Sequence, residues 1–208
     1  MRTIAIIPAY NEEKTIGNVV AAAKASSNIE AVYVVNDGSC DKTSQVAREA
    51  GAIVIELDSN RGKGAALQVG LQSTESEVIL FLDADLVGLT TELIDALVLP
   101  VCRGEVDMTL GVFEGGRRST DLAQKITPFL TGQRAIRRAV LQELPSMDDL
   151  GFGVEVALTR YVKSHGAVYI EVPLNGVSQV MKEEKFGLLD GFTRRLRMYW
   201  DIVRTLAQ

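Results

Sequence analysis

Short apolar runs and stretches with helical spacing alternate along the first 82 residues of the chain. The apolar runs, which are typical of buried strands, are Thr3–Pro8, Ala31–Val35, Ala52–Leu57 and Val78–Leu82. The stretches between them, which place apolar residues on one helix face, are Glu13–Ser26, Thr43–Ala50 and Lys63–Gln72. This alternation predicts an α/β fold with a mostly parallel, doubly wound sheet and helices on both faces.

The pattern is less regular after residue 90. The predicted helices are Thr91–Val101, Asp121–Phe129, Val154–Ser164 and Leu188–Leu206. The predicted strands are Met108–Phe113 and Val168–Val172, and residues 174–185 are expected to form a polar loop. We expect Pro100 to interrupt the first of these helices and Pro173 to end the last strand, because proline lacks the backbone N–H.

The last predicted helix is amphipathic. Its apolar positions, at helical spacing, are Leu189, Phe192, Leu196, Tyr199, Val203 and Leu206. Residues 194–204 carry four arginines against one aspartate. Such a helix fits the protein core, a homodimer interface, or the surface of an anionic membrane with Tyr199 and Trp200 near the headgroups. The pattern leaves these three interpretations open.

Composition narrows the classes of protein to consider. The net charge is −5 and the isoelectric point is about 5.1, which argues against nucleic acid as a partner. The chain has only two cysteines, Cys40 and Cys102, which favours a reducing compartment such as the cytoplasm over a disulfide framework. We expect neither a signal peptide nor a transmembrane span, because no apolar run has the required length.

Polar clusters follow each of the first four predicted strands. They are Pro8–Glu12, Asn36–Ser39, Asn60–Gly64 and Asp83–Asp85. Ligands of parallel sheets bind beyond the carboxyl ends of the strands, so these clusters should converge on one site.

Each cluster alone also fits an ordinary turn or loop, and only their coincidence indicates function. The segment Gly62-Lys63-Gly64 offers backbone N–H groups and an ammonium to a phosphate, although it lacks the spacing of a P-loop. Asp83 and Asp85 lie close enough to repel each other unless a cation such as Mg²⁺ or Mn²⁺ binds them.

In order and spacing, the four clusters resemble those of family 2 glycosyltransferases of the GT-A type, a Rossmann-like fold. The closest similarity in style is to the polyprenyl- or dolichyl-phosphate sugar transferases, and it is specific over residues 3–90. The segment Thr131–Arg138 resembles the part of the family that lines the acceptor side, although Thr131 and Gln133 depart from its pattern.

The resemblance also implies roles for individual residues. The nucleotide-binding residues would be Pro8, Ala9, Tyr10, Glu12, Asp37, Lys63 and Asp83. Within this set, the resemblance implies that Asp37 binds the base and Lys63 approaches the nucleotide. Asp83 and Asp85 would form the metal-binding motif, with Asp85 the more direct ligand, and Gln179 is a further candidate because an amide oxygen can bind Mg²⁺.

Three acidic residues, Asp148, Asp149 and Glu155, are candidates for a base that deprotonates an acceptor hydroxyl. Glu155 fits the acidic position of the family best, and Asp149 is the alternative. The first two also fit a solvated acidic loop, and Glu155 also fits an acidic residue at a helix N-terminus. His165, the only histidine, is expected at a helix C-terminus in a structural role.

Together with these features, the resemblance implies metal-dependent sugar transfer from a nucleoside diphosphate sugar, with UDP expected rather than GDP, to a lipid-linked or small hydroxyl acceptor with inversion. The alternatives are a nucleotidyltransferase that makes nucleotide sugars, which would need a Gly-rich loop after the first strand, and a non-catalytic binding protein. We expect a domain at 1–185, with a nucleotide-binding half (1–90) and an acceptor half (91–185), and an amphipathic helix at 186–208. The expected location is the cytoplasm, including the cytoplasmic face of a membrane.

Overall fold

The structure, a computed structural model, describes residues 1–113, 131–143, 147 and 154–179. Its strands are β1 (Thr3–Ala9), β2 (Ala31–Asn36), β3 (Ile53–Glu56), β4 (Val78–Phe81), β5 (Leu86–Val87), β6 (Met108–Phe113), β7 (Arg134–Arg137), β8 (Tyr169–Leu174) and β9 (Ser178–Gln179). Its helices are α1 (Ile16–Ala25), α2 (Thr43–Glu49), α3 (Lys63–Gln72), α4 (Thr91–Cys102), α5 (Arg138–Gln142) and α6 (Val154–Ser164).

Within the described residues, seven strands form one sheet in the order β3-β2-β1-β4-β7-β6-β8. Strands β3, β2, β1 and β4 are parallel, β7 is antiparallel to both of its neighbours, and β6 and β8 are again parallel. Strands β5 and β9 form a separate antiparallel pair. The mixed, mostly parallel sheet confirms the predicted fold class.

Apolar side chains cover both faces of this sheet. One hydrophobic cluster joins alternate residues of β1, such as Ala5 and Ile7, to α1 and α4. The other joins Ile4 and Ile6 of the same strand to α3 and α6. Because side chains alternate across a strand, a strand buried on both faces must be apolar throughout, as the sequence pattern indicated.

Two predictions about proline are wrong. Helix α4 continues through Pro100 to Cys102, because Leu97, Val98 and Val101 are fully buried and hold its last turn against the sheet. Strand β8 continues through Pro173 to Leu174. Since β8 is an edge strand, a missing N–H on its outer side removes no bond from the sheet.

The sequence pattern also missed three strands. Strand β7 lies within the segment Thr131–Arg138 and carries arginine at both ends, so its pattern does not resemble a buried strand. Strands β5 and β9 have two residues each, and β9 falls in the segment expected to be a polar loop. Two residues are too few for any periodicity to be detected.

Some predicted elements lie outside the described residues. These are the helix predicted at Asp121–Phe129 and the amphipathic helix predicted at residues 186–208. Among the helices that the structure does describe, none is long and apolar enough to cross a membrane. The division of the chain at residue 185 stays a prediction.

Candidate functional site

Backbone and side-chain hydrogen bonds join the first two polar clusters at the carboxyl edge of the sheet. Asn11 N donates to Ser39 Oγ over 2.9 Å, and Cys40 N donates to Asn11 Oδ1 over 2.9 Å. Asn11 adopts a positive φ of 56°, a conformation that asparagine tolerates better than most residues. The loops after β1 and β2 are therefore fixed to each other, as expected for adjacent parallel strands.

The buried carboxylate of Asp37 joins the second cluster to the third. It accepts hydrogen bonds from Arg61 N at 2.7 Å and from Gly62 N at 2.9 Å, directly before α3. Burial raises the pKa of the Asp37 carboxyl, and the two backbone N–H groups and the charge of Arg61 oppose this shift. Asp37 thereby fixes the backbone from which Lys63 projects.

The residues expected to cradle a nucleoside lie in and after β1. Pro8 and Ala9 end the strand, where they pair with Val35 and Asn36 of β2. Tyr10 and Glu12 follow in the loop and are half-buried. The carbonyl oxygen of Glu12 accepts the first backbone bonds of α1, so this loop is shaped by the start of that helix.

Lys63, the first residue of α3, lies between two carboxylates from distant parts of the chain. Its Nζ is 2.5 Å from Asp83 Oδ1 and 2.5 Å from Glu155 Oε1. Burial alone would lower the pKa of the Lys63 ammonium, but the charges and hydrogen bonds of Asp83 and Glu155 outweigh burial and raise it. The two carboxylates therefore favour the charged form of Lys63 at the centre of the site.

The other oxygen of Asp83 also has two nitrogen donors. Asp83 Oδ2 accepts from Gln133 Nε2 at 2.6 Å and from Gln179 Nε2 at 2.7 Å. Gln179 reaches this position because it pairs with Leu86 in the β5–β9 sheet. Asp85 is half-buried in the turn between β4 and β5, two residues after Asp83. Gln179 is thus hydrogen-bonded to Asp83, Asp85 lies two residues further along the chain, and the metal site expected from these three residues stays a prediction.

Glycine at position 132 allows the backbone to approach this ion pair. A Cβ on Gly132 would lie 2.7 Å from Lys63 Nζ and closer still to the carboxylate of Asp83. The neighbouring side chains are also fixed, because Thr131 Oγ1 donates to Gln133 Oε1 over 2.7 Å. The segment 131–133 therefore closes one side of the site with its backbone.

Glu155 lies in the first turn of α6 and is buried, with 5% of its surface exposed. One carboxylate oxygen binds Lys63. Among the residues that the structure describes, the other oxygen, Oε2, is buried and has no hydrogen-bond partner. A buried carboxylate oxygen without a donor is unusual, and it leaves Glu155 able to accept one more hydrogen bond or proton.

The structure also locates candidates outside this group. Asp149 and its neighbour Asp148 lie outside the described residues. His165 follows the C-terminus of α6, where its ring stacks on Tyr161 with centroids 3.9 Å apart and contacts the Tyr161 carbonyl oxygen. This placement agrees with the structural role that the sequence predicted for His165.

Sequence reasoning missed the roles of Gln133 and Arg134. Gln133 was noticed only as a departure from the family pattern, although it binds Asp83 directly. Arg134 is 1% exposed, and its guanidinium donates to the carbonyl oxygens of Thr131 and, over 3.2 Å, Glu155. Burial lowers the pKa of Arg134 to about 10, against the opposing charges of Glu155 and Asp83. Neither arrangement has a signal in the sequence alone.

Comparison with known proteins identifies one protein family over most of the chain. The family model described as glycosyl transferase family 2 matches residues 4–157. An uncharacterized protein of Methanocaldococcus jannaschii is 36% identical over 109 residues, which are 51% of this chain and 44% of that protein. Glucosyl-3-phosphoglycerate synthase of Mycobacterium tuberculosis is 30% identical over 195 residues, which cover 76% of this chain and 60% of that enzyme.

The name of a third relative contains dolichyl phosphate, where the name of the synthase contains 3-phosphoglycerate. Dolichyl-phosphate hexose transferase of Haloferax volcanii is 25% identical over 190 residues, covering 81% of this chain and 80% of that enzyme. The chain spans 44% and 60% of the lengths of the M. jannaschii and M. tuberculosis relatives, respectively.

Solved structures agree with the observed fold. The M. tuberculosis synthase in complex with Mn²⁺, UDP and glucosyl-3-phosphoglycerate superposes with a TM-score of 0.80 at 25% identity. The superposition covers 99% of this chain and 78% of the synthase. The same enzyme with Mg²⁺ and UDP gives a TM-score of 0.79, with the same identity and coverage.

Proposed function

The chain belongs to glycosyl transferase family 2, and from this premise we propose that it transfers a sugar from a nucleoside diphosphate sugar to an acceptor. The observation that carries the proposal is the group of Lys63, Asp83 and Glu155 at the carboxyl edge of the sheet, with Asp85 two residues after Asp83 in the chain. It combines an ammonium, two carboxylates and a carboxylate oxygen that has no partner among the described residues, at the edge of the sheet where α/β folds bind ligands.

We propose that a divalent cation, Mg²⁺ or Mn²⁺, binds at Asp85, with Gln179 as a further oxygen donor. The carboxylate of Asp83 already accepts hydrogen bonds from Lys63, Gln133 and Gln179. We therefore assign Asp83 the role of orienting these three side chains. The described residues contain no group of three His, Cys, Asp or Glu side chains that could hold a metal alone. Mg²⁺ in proteins usually has one or two carboxylate ligands, and substrate phosphates complete its coordination. Asp85 and Gln179 fit a site of this kind.

The donor that we propose is a UDP sugar. The structures of the M. tuberculosis synthase contain UDP with Mn²⁺ or Mg²⁺, which supports UDP over GDP. The loop after β1 and the loop that Asp37 fixes would hold the nucleoside. A bound cation would stabilise the charge that develops on the departing diphosphate.

Glu155 is our proposed base for an acceptor hydroxyl. Its Oε2 is the oxygen that has no partner among the described residues, and its Oε1 is held by Lys63. The carboxylate is therefore oriented by one oxygen and able to accept a proton on the other. The expected inversion at the sugar carbon stays a prediction, which the anomeric configuration of the product would check.

The acceptor class is proposed as a small or lipid-linked molecule. The names of the relatives include a small phosphorylated acid and a dolichyl phosphate, so both classes have support. A lipid-linked acceptor would agree with membrane contact through residues 186–208, and the alternative for the helix predicted there is a dimer interface. The nucleotidyltransferase alternative lacks support, since Pro8-Ala9-Tyr10-Asn11 stands where that class has a Gly-rich loop.

Calorimetry with UDP and with GDP tests the donor and the metal together. We expect UDP to bind in Mn²⁺, to bind more weakly in chelator, and to bind more tightly than GDP. Asp85→Ala should weaken the metal-dependent binding and lower turnover of UDP sugars by on the order of 100-fold or more, since a bound cation contributes several kcal/mol of charge stabilisation.

A matched control is Asp107→Ala. Asp107 is also half-buried, but it precedes β6 at the opposite edge of the sheet, where it accepts from Val168 N. It should leave UDP binding unchanged. Equal UDP affinity with and without metal, in a protein with a normal thermal transition, would show that this site does not bind a metal-nucleotide complex.

A further inference from the structure

Arg134 occupies a position where an apolar side chain would be expected. It is the first residue of β7 and pairs with Phe81 of β4 and Leu110 of β6. These partners belong to the hydrophobic cluster between the sheet and α6, and Arg134 is only 1% exposed. Burying a guanidinium is costly unless its hydrogen bonds and charge are compensated, so its presence calls for a specific use.

The hydrogen bonds of Arg134 join two elements of the site. In the described part of the chain, no carboxylate forms an ion pair with Arg134. Its Nη2 donates to the carbonyl oxygen of Thr131, and its Nη1 donates to the carbonyl oxygen of Glu155 at 3.2 Å and approaches Thr159 Oγ1 at 3.4 Å. The Thr159 hydroxyl donates to the same Glu155 carbonyl over 2.8 Å. The guanidinium thus connects the segment before β7 to the first turn of α6.

Each of the two connected elements contributes a side chain that contacts the ion pair of Lys63 and Asp83. The segment before β7 presents Gln133 to Asp83, and the first turn of α6 presents Glu155 to Lys63. The charges of Arg134 and Lys63 also offset those of the Asp83 and Glu155 carboxylates, and Arg134 forms an ion pair with neither carboxylate. A shift of one element relative to the other would change the distance between Glu155 and Asp83.

We propose that Arg134 is a positioning residue for sugar transfer, which sets the place of Glu155 relative to Asp83 and Lys63 by holding the two elements together. This inference rests on the proposed function. Arginine suits the role because its planar fork donates in two directions at once, whereas lysine has one flexible ammonium.

The test compares Arg134→Met and Arg134→Lys with Arg138→Met in the 208-residue chain. Arg138 is a matched control, because it donates to Ser76 O, Leu71 O and Thr74 Oγ1 at the opposite end of β7. Both Arg134 variants should lower kcat for a UDP sugar by about 10- to 100-fold, as is typical when a residue that orients functional groups is removed. KM for the donor and calorimetric UDP affinity should change by less than about threefold. Arg138→Met should lower thermal stability because it removes these hydrogen bonds, and it should lower kcat less than either Arg134 variant does.

A double-mutant cycle with Glu155→Gln separates positioning from general structural damage. If Arg134 acts through Glu155, Arg134→Met should lower kcat much less in the Glu155→Gln background than in the wild type, because interacting residues give non-additive effects. If Arg134→Met lowers kcat by the same factor in the wild type and in the Glu155→Gln variant, the inference is overturned. If Arg134→Met does not fold, Arg134→Lys decides, and wild-type kcat in that variant would also overturn it.

The outcomes distinguish this inference from the proposed function. A wild-type protein that neither binds UDP with Mn²⁺ nor consumes any UDP sugar contradicts both. A wild-type protein that is active, with Arg134 variants whose kcat matches that of Arg138→Met, contradicts the Arg134 inference alone.

Discussion

At the scale of single residues, the central feature is that Lys63 shares its charge between two carboxylates. Asp83 and Glu155 are 72 positions apart in sequence, and the ammonium brings them within one site. Removing one member of a buried ion pair normally costs several kcal/mol, because the remaining charge is left uncompensated. Here Lys63 retains a second partner when either carboxylate is replaced, so such variants should still fold.

Glu155→Gln separates the proposed base from the donor site. The amide keeps the shape of the side chain but cannot take a proton, so kcat should fall by on the order of 100-fold or more with a hydroxyl acceptor. UDP affinity in Mn²⁺ should change little, because Asp83 and Asp85 are intact. Steady-state rates and calorimetry on one preparation measure both quantities.

Glu143→Gln is the control for that experiment. Glu143 follows α5, is exposed and accepts a hydrogen bond from the Tyr161 hydroxyl, so its loss should not affect the rate. If Glu155→Gln turns over at the wild-type rate, the base is another residue, with Asp149 the next candidate, or the acceptor is a phosphate that needs none.

At the scale of elements, the short pair of β5 and β9 determines where Gln179 lies. Gly88 follows β5 with a φ of 82°, and a Cβ there would collide with the carbonyl oxygen of Gly176 before β9. The two turns can approach this closely because residue 88 has no side chain. This contact holds Gln179 beside Asp83.

Gly88→Ala should therefore displace β9 and weaken metal-dependent UDP binding by about 10- to 100-fold, the usual range for disturbing groups around a metal ligand. Gly166→Ala is its control, because Gly166 has a similar φ of 69° but nothing within 4 Å of an added Cβ. In both variants, alanine at a positive φ costs about 1–2 kcal/mol of stability. Only Gly88→Ala adds a steric collision. Equal UDP affinities in the two variants would show that β9 does not support the site.

The elements that the sequence predicted well are those whose periodicity is set by burial alone. The bounds of β6 and α6 were predicted to the residue, and the four clusters at the carboxyl edge were identified because strand ends mark ligand sites. Strand β7 was missed because Arg134 is buried for its hydrogen bonds, which depend on residues of α6 and not on neighbours in sequence. The same reason hides the contact between Gln133 and Asp83.

At the scale of the whole molecule, the site combines residues from both halves of the chain. Lys63, Asp83 and Asp85 precede residue 90, whereas Glu155 and Gln179 follow it. The halves meet where β7 pairs with β4 in an antiparallel sense. The proposed nucleotide-binding half therefore lacks part of its own site, and the proposed acceptor half supplies it.

Residues 186–208 lie outside the described residues, and we predict that they bind anionic vesicles. Each arginine near an anionic surface contributes about 1 kcal/mol, and the apolar stripe adds a term that salt does not screen. Binding should therefore weaken with salt without disappearing. Co-sedimentation with anionic and with neutral vesicles measures it.

Two variants serve as comparisons in that assay. A 208-residue chain with Arg194, Arg195, Arg197 and Arg204 replaced by glutamine should lose most of the salt-sensitive binding, and a truncation after Glu184 should lose all binding. If the wild-type protein stays in the supernatant with anionic vesicles at low salt, the helix has no membrane role. An insoluble truncation would assign the helix to the core or to a dimer interface.

The insertion of β7 between β4 and β6 has a consequence for synthesis on the ribosome. Chains begin to fold from their N-terminal part while they are made, so the parallel strands β3, β2, β1 and β4 emerge first. Until residues 134–137 emerge, the far edge of β4 has no partner, and an apolar open edge invites pairing with other chains. Pairing with β7 covers this edge in the finished sheet, so we expect a nascent chain that stops before residue 134 to be the intermediate most prone to aggregation.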